Sequence, residues 1–516
     1  MVRERAPEAL KETQQMNDGQ SVLAIARSVA LTPQSELTRW RAARDGACPS
    51  RSDVLRVLLA QGLANAPTEL LNNRFESCTT VEKSSVDDWV MNTIETLGSE
   101  IQGRAWLEFY NPRMDLVDEV GELFEGRRLD LSSHIVVAVQ HLLGSSVAVF
   151  DWLNRLGIPY ERMFILGKCY SAHAGVLAHL KSRGASVFRN SIALTAISPN
   201  GGLNDVQHLR TDIKRMIASA MGSPRSDKTR ILLIDDGGLL IEMFATSHRS
   251  VADRTMAMEQ TRHGANLLRG LAGARLPFPV VNIAECDTKL RNEADLIGSS
   301  VIRSIEARLS SLGSSWKTVE RGLVVGFGTV GRAVAHALRR HGLEVSISER
   351  IASQQELARN EGFQNVRLTK GRVAGLVVGC TGSRWWRPDL TRRGAERTFL
   401  ASASTADLEF GARTRDGLER IPFAPPVEAL DNQAFRSVHS DYQDKNGDIL
   451  LNGGFPVNFD GSLDPIPPKA IQVTRALILA GACVAAAGGL ADGLVPLDPK
   501  LDSEISKRFV ARNAVW

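Results

Sequence analysis

Residues Gly322–Gly331 read GLVVGFGTVG, an apolar strand running directly into Gly326-Phe327-Gly328-Thr329-Val330-Gly331 and a helix that continues to Arg340. This is G-x-G-x-x-G between a strand and a helix, the setting the pattern needs. The first glycine permits the tight turn, the second lets backbone approach a pyrophosphate, and the third lets the helix lie close to the strand. The helix start then offers unpaired N–H groups to phosphate. A second strand, Leu343–Ser348, ends at Glu349, 18 residues after Gly331. A carboxylate there accepts hydrogen bonds from both ribose hydroxyls and selects NAD over NADP, although the neighbouring Arg350 would suit a 2′-phosphate. A later strand, Gly375–Val378, leads into Gly379-Cys380-Thr381-Gly382, which places Thr381 and Gly382 beside the dinucleotide.

Outward from this unit, strands and helices keep alternating. Ile135–Leu143 and Met163–Leu166 are apolar and short, and Ile231–Ile234 is a fully apolar strand ending in Asp235-Asp236-Gly237-Gly238. Continuous apolar strands between helices imply parallel sheets covered on both faces, hence two α/β domains with a ligand between them. Ala476–Leu497 is nearly uncharged and just long enough to cross a membrane, which takes about 20 apolar residues. Its glycines and Asp492 favour a packed helix followed by a loop. Residues 1–110 have a different, helical texture: Ser21–Arg41 reads as helix, break at Leu31-Thr32-Pro33, helix, and Arg51–Leu63 as a helix with one buried face. A DNA-binding helix-turn-helix and an ordinary αα-hairpin both fit the first of these.

Composition excludes more than it selects. The chain has 516 residues, 43% hydrophobic and 23% charged, which is the balance of a globular protein with an ample core. Lys and Arg exceed Asp and Glu by only 62 to 58, and aromatics are 6%, which argues against a broad nucleic-acid-coating surface. Nucleic acid therefore enters only as a possible partner of the N-terminal extension. The six cysteines are scattered without metal-ligand spacing, so no metal site and a reducing, cytoplasmic setting are expected. No membrane association is expected.

Over roughly residues 130–510 the chain resembles the S-adenosylhomocysteine hydrolase family. The resemblance is carried by ILLIDDGGLLI (231–241), MEQTRHGANLL (258–268), FPVVNIAECDTKLRNEADLIGSS (278–300), the glycine turn with SISER, VVGCTG (377–382), ADLEF (406–410) and DYQDKNGDILLNGGFPVN (441–458). It implies a Rossmann-type NAD-binding domain over 298–460, inserted in a split α/β substrate domain made of 111–297 and 461–516, with hinges near Ala294–Ser300 and Asn458–Pro468. It also implies a homo-oligomer, dimer or tetramer, tightly held NAD, and contacts to the dinucleotide from Thr261 and Asn458. The family's reaction oxidises a ribose hydroxyl, eliminates a neighbouring thiol, adds water and returns the hydride.

On the family's pattern Lys289 falls at the lysine near the reacting oxygen and Asp236 at the aspartate that orients it. Gln260 stands where a catalytic glutamate is expected. Ser299 and Thr405 replace a cysteine and a histidine, and Asp464 is nearest to where a second histidine is missing. The base-reading segment keeps His141 but has Leu143 and Ser146 where the family has polar readers, and the family's Lys-Tyr ending is replaced by Asn513-Ala514-Val515-Trp516. Adenosine should therefore bind poorly. Lys168, His173, Arg262 and His263 replace neutral polar residues, which suggests an anionic substrate group; alternatively these side chains pair with Asp235, Glu259 or Glu285. Trp385-Trp386 could stack on a ligand or belong to the core, and Asp444–Asp448 reads as a turn. Two functions are favoured: an NAD-dependent enzyme using hydride transfer at a hydroxyl of a small substrate other than S-adenosylhomocysteine, or a catalytically silent NAD-binding relative that regulates or binds a partner; a genuine S-adenosylhomocysteine hydrolase fits the residues less well.

Overall fold

The apolar runs become two sheets whose facing edges define one cleft. The computed structural model describes residues 114–188, 205–223, 228–271, 276–369, 375–387, 390, 397–410, 418–421 and 438–513. The helices expected over 1–110 lie outside these residues.

The first sheet contains β1 (His134–Leu142), β2 (Met163–Ala172), β3 (Ser186–Phe188), β4 (Arg230–Asp235), β5 (Thr255–Glu259), β6 (Pro279–Asn282) and β15 (Gly493–Pro496). Their order is β15-β6-β5-β4-β1-β2-β3, with every pairing parallel. Ile231–Ile234 in β4 are all within 1% of full burial, as a strand covered on both faces requires. One face is covered by α1 (Asp205–Gly222) and α2 (Leu239–Ser247), whose Ile213, Met216, Leu240 and Phe244 share a core with β1, β2 and β4. The stretch after Ala487, expected to be a loop, contains the edge strand β15, too short and too little buried to show a period of two.

The second sheet contains β7 (Arg321–Val325), β8 (Glu344–Ser348), β9 (Gln364–Asn365), β10 (Leu376–Gly379), β11 (Phe399–Ser402), β12 (Glu419–Ile421), β13 (Asp441–Gln443) and β14 (Ile449–Leu450). The order β12-β13-β14-β11-β10-β7-β8-β9 reverses direction at β7 and β10, the switch point where open α/β sheets bind ligands. The strands from β9 to β14 are parallel, and β12 and β13 add an antiparallel edge. This is an α/β fold with a Rossmann-type second sheet. Trp385 and Trp386 pack edge-to-face with Phe410 inside it. Asp444–Asp448 is a hairpin turn in which Asp444 Oδ1 accepts from Asn446 N and Asp448 N at 2.8 and 2.9 Å.

Five further helices position the cleft: α3 (Arg262–Gly270), α4 (Asp287–Ser311), α5 (Thr329–Arg340), α6 (Pro468–Ala487) and α7 (Pro499–Asn513). The stretch Ala294–Ser300, expected as a hinge, lies inside α4 as unbroken helix. Gly298 lets α4 approach α5, because a Cβ there would stand 3.0 Å from the Ala333 Cβ. α6 is the apolar helix noticed in the sequence. Its length and composition would suit a membrane, yet it is buried against the first sheet, where Gly481 lies so close that a Cβ would meet Met258 at 2.8 Å and Ile283 at 2.7 Å.

Candidate active site

Strands of a parallel sheet end at one edge, so the residues at their ends gather in the same place. Here β1 brings His141, β2 brings Lys168 and Tyr170, β4 ends at Asp235-Asp236, and β5 ends at Glu259-Gln260. The first turn of α4 adds Lys289, and α6 adds Thr474 and Arg475. Opposite them stand the start of α5 and the loop after β10. The open cavity between them measures about 470 Å³, and its wall includes His141, Asp236, Gln260, Thr261, Arg262, His263, Lys289, Gly328, Thr329, Val330, Thr381, Gly382 and Asn458.

Asp236 is the hub. Lys168 Nζ donates to one of its oxygens, Gln260 Nε2 donates to the other, and His141 Nε2 lies 3.2 Å from the latter. Burial opposes ionisation of Asp236, but Lys168 and His141 outweigh it and hold the carboxyl well below the usual range. The same pairing keeps Lys168 charged against its own burial. Burial lowers His141 more than Asp236 raises it, so the ring is neutral. With Nε2–H given to Asp236, Nδ1 is left to accept the Ser171 hydroxyl at 2.5 Å. Phe459 stacks on the ring at 4.6 Å between centroids. Lys289 Nζ donates to the Gln260 carbonyl at 2.5 Å and lies 3.4 Å from Glu293, which also accepts from Thr474 Oγ1 at 3.0 Å.

Beneath this cluster, Asp235 and Glu259 lie opposite each other on β4 and β5, both fully buried. Glu259 Oε1 accepts from Thr261 N at 2.7 Å, Thr261 Oγ1 at 2.6 Å and Gly237 N at 3.2 Å. Gly264 leaves room for that carboxylate, since a Cβ there would come within 2.4 Å of it. Burial, then the nearness of Asp235, pushes Glu259 well above the usual range; burial also pushes Asp235 up to about 7.

On the opposite wall, Gly326 has φ +94°, and a Cβ on Gly331 would stand 2.0 Å from the Gly326 carbonyl oxygen. At Gly328 the space is open, with nothing within 4 Å of where a Cβ would be. Glu349 Oε2 accepts from Phe327 N at 2.6 Å, which ties the end of β8 to the glycine turn. Glu409 accepts from the backbone N–H groups of Thr381 and Gly382, both at 2.6 Å, and fixes the facing loop.

The structure therefore brings most of the expected residues to the two walls of one cavity and leaves some off it. Gly326 and Gly331 shape the turn from behind. His173 is only 3% exposed and does not border the cavity, because β2 ends at Ala172 and the His173 N–H closes onto the Leu142 carbonyl. Lys168 is committed to Asp236 and has no charge to spare. Arg262 is exposed at the rim, 3.4 Å from Thr329 Oγ1. Sequence reasoning missed Arg475, hidden in an apolar helix; a lone arginine in an otherwise uncharged run was the available signal.

No protein-family model matches the chain. Two curated relatives are similar to it: "Uncharacterized protein MT0113" of Mycobacterium tuberculosis (strain CDC 1551 / Oshkosh) and "Uncharacterized protein Rv0104" of Mycobacterium tuberculosis (strain ATCC 25618 / H37Rv). Each is 29% identical over 388 residues, 74% of this chain and 70% of the relative. Among solved structures, a dipicolinate synthase subunit from Bacillus halodurans aligns at a TM-score of 0.31 and 9% identity, over 53% of this chain and 82% of that one.

Proposed function

We propose that the protein is an NAD-dependent enzyme that transfers hydride at a hydroxyl of a small polar molecule held in the cavity. The observation that carries this reading is that one cavity is walled on one side by the glycine turn and on the other by the Asp236–Lys289 cluster. The turn fits a dinucleotide: Gly331 admits the close helix, and Gly328 leaves open space in front of a helix start with no side-chain cap. Gly326, Gly328, Thr329, Val330 and Gly331 would hold the pyrophosphate, Glu349 the ribose, and Thr261, Thr381, Gly382 and Asn458 the remainder. When bound, NAD supplies the hydride acceptor.

The chain's own residues position and polarise the substrate. An ionised carboxylate has about four acceptor positions, and three donors already converge on Asp236, so one is left for a substrate hydroxyl. The Lys289 ammonium has three donors, with Gln260 O and Glu293 as neighbours, and its remaining N–H can meet the oxygen on which negative charge develops. Gln260 holds Asp236 in place through its amide. Burial keeps water from competing for these groups. A second reading, a protein that binds NAD without turnover, draws support from Gln260: it stands where a carboxylate base would act, and its amide is spent on Asp236.

Purified protein with NAD and a panel of hydroxylated metabolites should give the near-ultraviolet absorbance of NADH with at least one of them. Lys289→Ala should reduce that signal by about 10²-fold or more while leaving NAD affinity nearly unchanged. Normal turnover by Lys289→Ala would remove Lys289 from the chemistry. NAD bound with no absorbance change across the panel would favour the silent reading.

A further inference from the structure

Arg475 lies within α6 in the run Val473-Thr474-Arg475-Ala476-Leu477 and is 4% exposed. A guanidinium carries five N–H donors in a planar fork. Among the described residues one of these is used: Nε donates to Ser145 Oγ at 3.1 Å. Three carboxylates act on Arg475 through space, Asp464, Glu293 and Asp236, but each is engaged elsewhere. Asp464 accepts from Ser145 N at 2.9 Å, Glu293 from Thr474, and Asp236 from Lys168 and Gln260. Arg475 borders the cavity. A buried guanidinium with an unused fork is costly unless something enters to pair with it.

We propose that Arg475 binds a carboxylate of the substrate, which makes the substrate a hydroxylated carboxylic acid; this rests on the NAD-dependent reading for the hydroxyl and on Arg475 alone for the acid. The fork and the surrounding carboxylates select the kind of anion. Lys168 and Lys289 each have an acidic partner inside the cluster, and Arg262 is exposed at the rim. Arg475 faces Asp464, which is held by the Ser145 N–H, and apart from the Nε–Ser145 bond no partner for its N–H fork is seen among the described residues. A carboxylate matches its fork with two parallel hydrogen bonds and brings only one negative charge. A phosphate monoester brings nearly two negative charges into the neighbourhood of Asp464, Glu293 and Asp236, and is disfavoured. The expectation of an anionic substrate thus stands on a different residue from those named in the sequence.

The test is calorimetric binding of three matched sets to the full chain, with and without saturating NAD: aliphatic hydroxy acids, their primary amides, and phosphate monoesters of the corresponding alcohols. At least one hydroxy acid should bind wild type ten-fold or more tightly than its amide and than the phosphate ester. Arg475→Gln should weaken that acid by ten-fold or more and leave the amide within about two-fold. Arg475→Lys, which keeps the charge and loses the fork, should fall between them, with circular dichroism confirming that both variants fold. Equal binding of acid and amide, preference for the phosphate ester, an unaffected Arg475→Gln, or no acid binding at millimolar concentration would each overturn the assignment. Failure of NAD to bind would overturn the oxidoreductase reading instead, because the Arg475-dependent difference is also read without NAD.

Discussion

Asp235 and Glu259 show how a single buried charge can set local behaviour. Burial pushes Asp235 up to about 7, far above an unfolded aspartate near 3.8. The folded chain therefore holds a proton that the unfolded chain has released. The stability contributed by this proton is present at low pH and is lost as pH rises from about 4 to about 7. Asp235→Asn removes that dependence while its side-chain oxygen can still accept from Ile241 N, at 3.0 Å in the native protein. The variant should gain on wild type as pH rises, by on the order of 2–3 kcal/mol between pH 5 and 8. Urea denaturation at the two pH values measures this, and a constant difference would mean that Asp235 is ionised throughout.

At the scale of the element, the glycine turn was legible because its residues must do one thing each. Gly331 and Gly328 separate two of those roles. A Cβ on Gly331 strikes the backbone of Gly326, so Gly331→Ala should lower stability by about 1–3 kcal/mol and weaken NAD as the turn shifts. A Cβ on Gly328 meets nothing within 4 Å, so Gly328→Ala should melt like wild type yet lose NAD affinity about ten-fold or more, since the methyl would stand where phosphate approaches. Thermal melts and calorimetry on both variants decide it; full NAD affinity in Gly328→Ala would mean that the pyrophosphate lies elsewhere. Other elements were not legible. β15 has four residues and an edge position, and it owes its pairing to β6, which lies more than 200 residues earlier in the chain. Arg475 sits in α6 among Ala, Leu and Val, and only the packing of α6 against the first sheet turns it toward the cavity. The pairing of Lys168 with Asp236 spans 68 residues and has no local signature.

Across the whole molecule, each sheet carries a histidine that resists protonation. Burial and then Arg230 lower His134 at the start of β1 to about 4, while burial and then Arg308 lower His439, just before β13, to about 3. Unfolded histidines take up protons near pH 6.5. Both native rings are therefore stabilising above that value, and the contribution is lost as pH falls toward 4 and then 3. The urea midpoint should drop over that range, each histidine accounting for on the order of 2 kcal/mol at pH 4. Replacing both with Gln should flatten the acid limb; an unchanged slope would place the loss in the carboxylates instead. That one expectation covers both halves because the alternation of strands and helices, which the sequence shows plainly, recurs on either side of the cleft.

α4 begins beside the Asp236 cluster and ends in the core of the other sheet. Lys289 is in its first turn, and Arg308, near its last, is fully buried and donates to the carbonyl of His439 and to Asn452 Oδ1, at 3.1 and 2.6 Å. Those 19 residues of rise, at about 1.5 Å each, make a rod of roughly 28 Å. Partway along it, the Gly298 contact with Ala333 clamps the rod to the helix that starts at the glycine turn. The rod acts as a gauge block: the height of Lys289 relative to that turn is set by counting helical residues, not by how tightly the cleft happens to shut. Inserting or deleting a residue in the middle of α4 would therefore swing Lys289 by about 100° and shift it by a single rise, leaving both sheets intact and the two sides of the cavity out of step.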